Sequence, residues 1–202
     1  MAATTAIHVV KYANDKSTIL AEKTLTYQEM RDTLPVFGDG STHYYHQGPV
    51  FVNDPNEAVE QQLRLNPTED TNVLDKDMGA VMGTSVKDLC DLVGGMSAGD
   101  TLVLQSSDGM SKEFAYKNVY SPPSRQGPLV ITWSCSGIAS CPGLYPDSGY
   151  SDGMRLVFFA DTSVNPMGAH VFGNFDWHES AAEEYWYYYV GSGGERYPTT
   201  TG

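Results

Sequence analysis

The sequence is short of positive charge, of cysteine and of long apolar runs, and each shortage removes a class of function. Lys and Arg number 12 against 25 Asp and Glu, a formal charge of -13 over 202 residues. A surface of that sign repels phosphate backbones and anionic membranes, so no nucleic-acid partner is expected. No run of about twenty apolar residues occurs, the length a helix needs to cross a bilayer, so no membrane span is expected either. The opening MAATTAIHVV lacks the basic and apolar regions of a secretory leader; a leader removed before this Met is the expectation for an exported chain. There is no P-loop, no G-x-G-x-x-G, no CxxC and no CxxCH. Ordinary nucleotide, dithiol and c-haem chemistry fall away with them. Of the 3 cysteines, Cys135 and Cys141 share the loop WSCSGIASCPG, as a short-range bridge worth about 2 kcal/mol or as two thiols. Cys90 reads as a small core residue.

What is present is apolar content of 41%, enough for one domain with a sizeable core. Strand signals outnumber helix signals and no repeat is evident, so the fold class is α+β, a mixed and strand-rich single domain over 1–202. Its core is expected at 83–160. There GTSVKDLCDLVGG has a Thr84 or Ser85 cap, an apolar face of Val86, Leu89, Cys90 and Val93, and a Gly94-Gly95 stop. A hairpin follows, with strands around Thr101–Gln105 and Phe114–Tyr116 joined by an Asp108-Gly109 turn. GPLVITW reads as a strand buried on both faces, and MRLVFFAD as the next strand.

Outside the core, residues 1–37 read as an edge hairpin followed by a short helix. Thr26 and Glu29 have the spacing of a capping box, and Pro35 ends the helix. The stretch 53–78 is polar and acidic and reads as a surface excursion.

The 5 histidines carry the most chemistry. His43 and His46 lie in the Gly-bounded loop GDGSTHYYHQGPVF, and His170 and His178 flank Asp176 in HVFGNFDWHE. Neutral imidazoles with a carboxylate suit a divalent transition metal such as zinc or copper, so His43, His46, His170, His178 and Asp176 form the candidate metal set. The competing reading has His43 and His46 hydrogen-bonding main chain beside Tyr44 and Tyr45. On a strand, that spacing would point them to opposite faces. Acidic loops at Asp147, Ser148, Asp152 and Asp161, and at Asp70, Asp75 and Asp77, depart from the EF-hand pattern and read as solvated. The aromatic run Tyr185–Tyr189, with Trp177, reads either as a platform for a ligand or as rings shared between core and sheet edge.

The succession GTSVKDLCDLVGG, SDGMSKEF, GPLVITW and GYSDGMRLVFF resembles the molybdopterin-binding domain of the sulfite oxidase family. Leu89, Gly94, Asp108, Gly109, Leu129, Gly153, Arg155 and Leu156 stand at places comparable to that family's pattern. The stretches THYYHQGPVF, DLCDLVGGMSAGD, DGMRLVFFADT and HVFGNFDWHE also look like secreted, cell-surface proteins of methanogenic archaea and anaerobic bacteria on the same scaffold. Chains of that group continue past YPTTTG into a further strand. The resemblance implies an extracellular or cell-surface location, and a sheet edge through which the chain assembles with itself or with other surface proteins. It does not carry over the cofactor: no cysteine precedes Gly83 to bind molybdenum, and Arg31 and Arg64 are the only arginines there. Molybdopterin is therefore not expected. The expectation is a non-catalytic module that binds a metal ion or small ligand, or assembles with neighbours; the alternative is an oxidoreductase whose cofactor site lacks the Cys ligand.

Overall fold

A computed structural model describes residues 5–47, 56, 73–107, 109–139, 141–144, 154–165, 168–190, 192–194 and 196–199. Among them the architecture is α+β and strand-rich.

The chain starts with an antiparallel hairpin of β1 (Ala6–Tyr12) and β2 (Ile19–Thr26). Its turn is held by Asp15, whose carboxylate accepts the N–H groups of Ser17 and Thr18 at 2.9 and 2.8 Å. Thr26 then caps α1 (Tyr27–Thr33) in a reciprocal box with Glu29, as its spacing requires. The helix buries Tyr27 and Met30 and stops before Pro35. Lys11 of β1 donates to the carbonyls of Gly95 and Gly94 at 2.8 and 3.3 Å. These close α2 (Val86–Asp91), which Ser85 caps at its other end. An ammonium among carbonyls at a helix C-terminus is favourable for both the orphan acceptors and the helix dipole.

The main sheet has strand order β10-β3-β4-β7-β8, with β9 also on β7. These are β3 (His43–Gln47), β4 (Asp77–Ser85), β7 (Leu129–Ile138), β8 (Cys141–Leu144), β9 (Arg155–Phe158) and β10 (His170–Gly173). Strand β10 runs parallel to β3, and the other pairs are antiparallel. Strand β7 is buried from Leu129 through Cys135, as a run without polar alternation demands. Its far edge is divided: the first half pairs with β9 and the second with β8. In a flat sheet β9 would lie three strand spacings from β3, about 14 Å. Instead the His46 ring sits 5.3 Å from the Phe158 ring, so the sheet curls until its β9 side meets β3 and β10 again.

The curl encloses an aromatic core. Phe158 lies 4.4 Å from Phe172 and 5.7 Å from Trp177, and Phe114 lies 5.4 Å from Trp177, edge to face. Phe114 belongs to the separate hairpin of β5 (Thr101–Gln105) and β6 (Ser111–Ala115), which leads into the one-turn α3 (Tyr116–Tyr120). Trp177 is on α4 (Asn174–Ser180). A last hairpin pairs β11 (Tyr187–Val190) with β12 (Arg196–Thr199).

The excursion expected over 53–78 lies mostly outside the described residues. Its end is not surface loop: Val73 is buried in a 3-10 turn, Val73–Lys76, and β4 already starts at Asp77. Asp108 of the hairpin turn and Gly153 of the family pattern also lie outside the described residues.

Candidate functional site

The histidine-bearing loop expected around His43 and His46 is strand β3, and the alternation of a strand decides what each side chain can reach. His43 and Tyr45 take one face, Tyr44 and His46 the other. His43 Nδ1 lies 2.8 Å from Asp77 Oδ2, both side chains keeping some exposure, while Asp77 Oδ1 accepts the Gly79 N–H at 2.7 Å. The His43 ring lies over Gly137, where any Cβ would collide with it and where φ is +84°. That glycine is what admits the imidazole.

The opposite face closes the curled sheet. His46 Nε2 accepts the main-chain N–H of Phe158 at 3.1 Å. Phe158 turns this N–H away from β7, and the imidazole stands where a further strand would otherwise accept it. Accepting requires the neutral ring, and burial, with no charge nearby contributing, pushes the His46 pKa down to about 4. Two residues earlier, the Tyr44 hydroxyl donates to the Asp161 carboxylate and the ring stacks on Phe159 at 4.3 Å. Burial first, then the Asp161 carboxylate, raises the phenol's pKa. On the adjoining strand, His170 Nδ1 lies 3.3 Å from the Ala160 carbonyl oxygen, and its ring is 5.8 Å from that of Tyr44. Three side chains from β3 and β10 thus stitch the seam to β9 and the residues that follow it.

Asp176 and His178 serve helix α4. Asp176, only 4% exposed, accepts the Gly173 N–H at 3.1 Å and the Arg125 guanidinium on its other oxygen. It caps the helix from the N3 position. The His178 ring stacks on Trp186 at 4.4 Å and meets Tyr188 edge to face at 5.4 Å. Burial lowers its pKa, against the opposing effect of a hydrogen bond to the Tyr187 main chain.

The five candidate metal residues therefore do not converge. His43 and His46 sit on opposite faces of one strand, His46 and Asp176 are committed to main-chain N–H groups, and His178 is enclosed by aromatic rings. Among the described residues no three His, Cys, Asp or Glu side chains are grouped to hold an ion. Asp70, Asp147, Ser148 and Asp152, and the side chain of Asp75, lie outside the described residues. Asp77 serves His43 and Asp161 serves Tyr44.

The cysteines bear on the molybdenum cofactor that the family resemblance raises. In the resembled family the protein's ligand to molybdenum is a cysteine thiolate. Cys90 is buried on α2 with its thiol pushed up to about 11 by burial, and Cys135 is disulfide-bonded. Neither described side chain fits the cofactor. Cys135 Sγ lies 3.3 Å from the Met78 carbonyl oxygen; a half-cystine has no proton to donate, so this is a close sulfur–oxygen approach.

The described side chains of the aromatic run, Tyr185 through Tyr188, contact neighbours within the fold. Trp186 Nε1 donates to the His178 and Ala181 carbonyls at 3.1 and 3.2 Å. Tyr187 lies under Lys112 at 4.3 Å, and Tyr188 under Arg196 at 3.7 Å. A cavity of about 120 Å³ opens between Phe37, Val119, Pro122, Pro128 and Leu129, with Lys87 at its rim. None of the candidate histidines lines it.

Sequence reasoning missed the partners rather than the residues. Tyr44 and Asp161 are 117 positions apart, and Arg125 and Asp176 are 51 apart. No local spacing announces such pairs. No family model, curated protein or solved structure matches the chain.

Proposed function

We propose that this chain is a non-catalytic module of the cell surface or exterior, on a sulfite-oxidase-like scaffold, that acts by binding and by assembly with neighbouring chains. One observation carries this reading: the candidate side chains best suited to acid–base chemistry are already bonded within the fold. His46 is spent on a main-chain N–H, Asp161 on Tyr44, and Asp176 on a helix cap and Arg125. A general base or nucleophile needs a free lone pair aimed at a substrate. The disulfide at Cys135 supports the exterior location, because such bonds persist in oxidising compartments. The more exposed His43–Asp77 pair is the group that a zinc or copper ion would engage first.

Freshly purified protein tests the reading. Its visible spectrum should be featureless, its metal content limited to a colourless ion or none, and no pterin fluorescence should appear. A coloured preparation, or molybdenum near one atom per chain, replaces the reading with an oxidoreductase. Titration of metal-free protein with zinc or copper tests the ion separately, and no binding tighter than millimolar removes it.

A further inference from the structure

The β5–β6 hairpin has one plugged edge and one bare one. Ser106 N–H donates to the Met110 carbonyl at 2.9 Å, and Tyr116 N–H to the Asp100 carbonyl at 3.2 Å. Hydrogen-bonded and non-bonded pairs alternate along an antiparallel ladder. Both bonds lie in phase with the register Thr101↔Ala115 through Gln105↔Ser111. Leu102 and Leu104 therefore aim their main-chain groups at β6, while Thr101, Val103 and Gln105 aim theirs away from it. The same phase turns Glu113 outward on β6. There the Tyr187 hydroxyl accepts from the Glu113 N–H at 2.7 Å and donates to its carbonyl at 2.6 Å. One phenol stands in for a strand.

Nothing equivalent covers β5 among the described residues. The Tyr185 hydroxyl reaches only the Thr101 side chain, at 2.9 Å, and β5 pairs with β6 alone. Edge strands are ordinarily protected by charge, proline or a bulge. The segment Thr101–Gln105 reads TLVLQ and is unbulged, and Val103 is 52% exposed.

We infer that β5 is a pairing edge for a second copy of this chain, the two strands antiparallel about a two-fold axis at Val103. This rests on the proposed assembly role and names its partner. The outward residues are symmetric about Val103, so the strand is its own complement: Val103 meets the partner's Val103, and Thr101 meets the partner's Gln105. Every outward N–H and C=O of these residues then finds an acceptor or donor, as an isologous contact requires. Charge does not oppose a copy at the contact itself: TLVLQ is neutral in a chain of formal charge -13, so two acidic molecules meet where like charges are absent. A single strand edge buries less than the roughly 1,200–2,000 Å² of a stable complex. The association is therefore weak, concentration-dependent and strengthened by salt, which screens the remaining charge.

Sedimentation of the full chain from micromolar to millimolar concentration tests this. The wild type should show a reversible dimer whose population grows with added salt. Val103→Pro, which removes an outward donor without breaking a β5–β6 bond, should be monomeric with unchanged circular dichroism. Val103→Lys should behave likewise, and guards against a folding defect in the proline variant. With a short thiol cross-linker, Val103→Cys should trap the dimer several-fold better than Thr101→Cys, because only Val103 faces itself. A dimer that survives both Val103→Pro and Val103→Lys would leave the assembly role standing but overturn this edge. A wild type monomeric throughout overturns self-pairing altogether, while the spectrum and metal content still judge the non-catalytic reading.

Discussion

Acidification should destabilise this fold chiefly through His46, with His178, whose pKa burial also lowers, adding a smaller part of the same sign. In the unfolded chain His46 takes a proton near pH 6.5, whereas in the fold its pKa is about 4. Above about pH 6.5 the ring is neutral in both states, and His46 contributes no pH dependence. Between the two values the unfolded chain binds a proton that the fold refuses, so stability falls as pH falls. Below about pH 4 both states are protonated and the loss is complete. At about 1.4 kcal/mol per unit, the gap corresponds to about 3 kcal/mol. Because His46 keeps a little surface, that figure is an upper bound. The structural cost is specific: an imidazolium cannot accept the Phe158 N–H, so the sheet's seam loses a bond and gains a buried charge. Urea denaturation at intervals between about pH 7 and pH 4.5 measures the slope, ahead of most carboxylate titration. His46→Gln supplies the reference, since an amide oxygen can still accept that N–H but does not titrate. At neutral pH this variant should lose about 1 kcal/mol of ring packing, and its stability should change much less with pH than the wild type's. Parallel pH profiles for the two proteins would refute the placement of His46 as a neutral acceptor.

Three further outcomes follow from single positions. Lys16 occupies the left-handed region at φ 58°, in a turn whose counterpart, Asp39 to Thr42, has Gly40 at φ 71° with the same carboxylate bonding; Lys16→Gly should raise stability by about 0.5–1 kcal/mol in thermal or urea melts. Gly127 has φ +63°, and a Cβ there would collide with the Phe159 carbonyl oxygen where β7 meets β9; Gly127→Ala should cost more than about 3 kcal/mol, or leave no folded protein by circular dichroism. Tyr187→Phe removes the hydroxyl that satisfies Glu113 and should cost about 1 kcal/mol in the urea midpoint, because water can reach part of that exposed edge.

Local rules carried much of the fold into the sequence. The Thr26–Glu29 box, the Ser85 cap, the first hairpin and the β5–β6 hairpin all depend on neighbours within a few residues, and they stand where their spacing placed them, except that Tyr116, expected on the returning strand, opens α3 instead. The unalternating run from Leu129 announced a strand covered on both faces. Strands β3 and β10 were illegible for the opposite reason. HYYHQ and HVFG are short, rich in polar aromatics and bounded by glycines, so they read as loop. They become strands because they pair in parallel with each other across more than a hundred residues, and a parallel pair carries no hairpin signal between its members.

The same remoteness explains the histidines. Two imidazoles three positions apart suggest a shared ligand only if the backbone is a turn or a helix, and the pairing of β3 with β4 and β10 makes it a strand. One ring is thereby sent to Asp77 and the other to Phe158. The polar aromatic composition did mark a special place, but its demand comes from the fold itself. A sheet that curls until β9 faces β3 and β10 leaves main-chain groups of β9 and the residues after it facing inward, and buried donors and acceptors must be met. His46, Tyr44 and His170 meet this seam with side chains where no ladder pairs β9 to β3, and Tyr187 does the same for β6. Each edge closed in this way is withdrawn from assembly, which concentrates the pairing capacity of the hairpin on the neutral strand Thr101–Gln105.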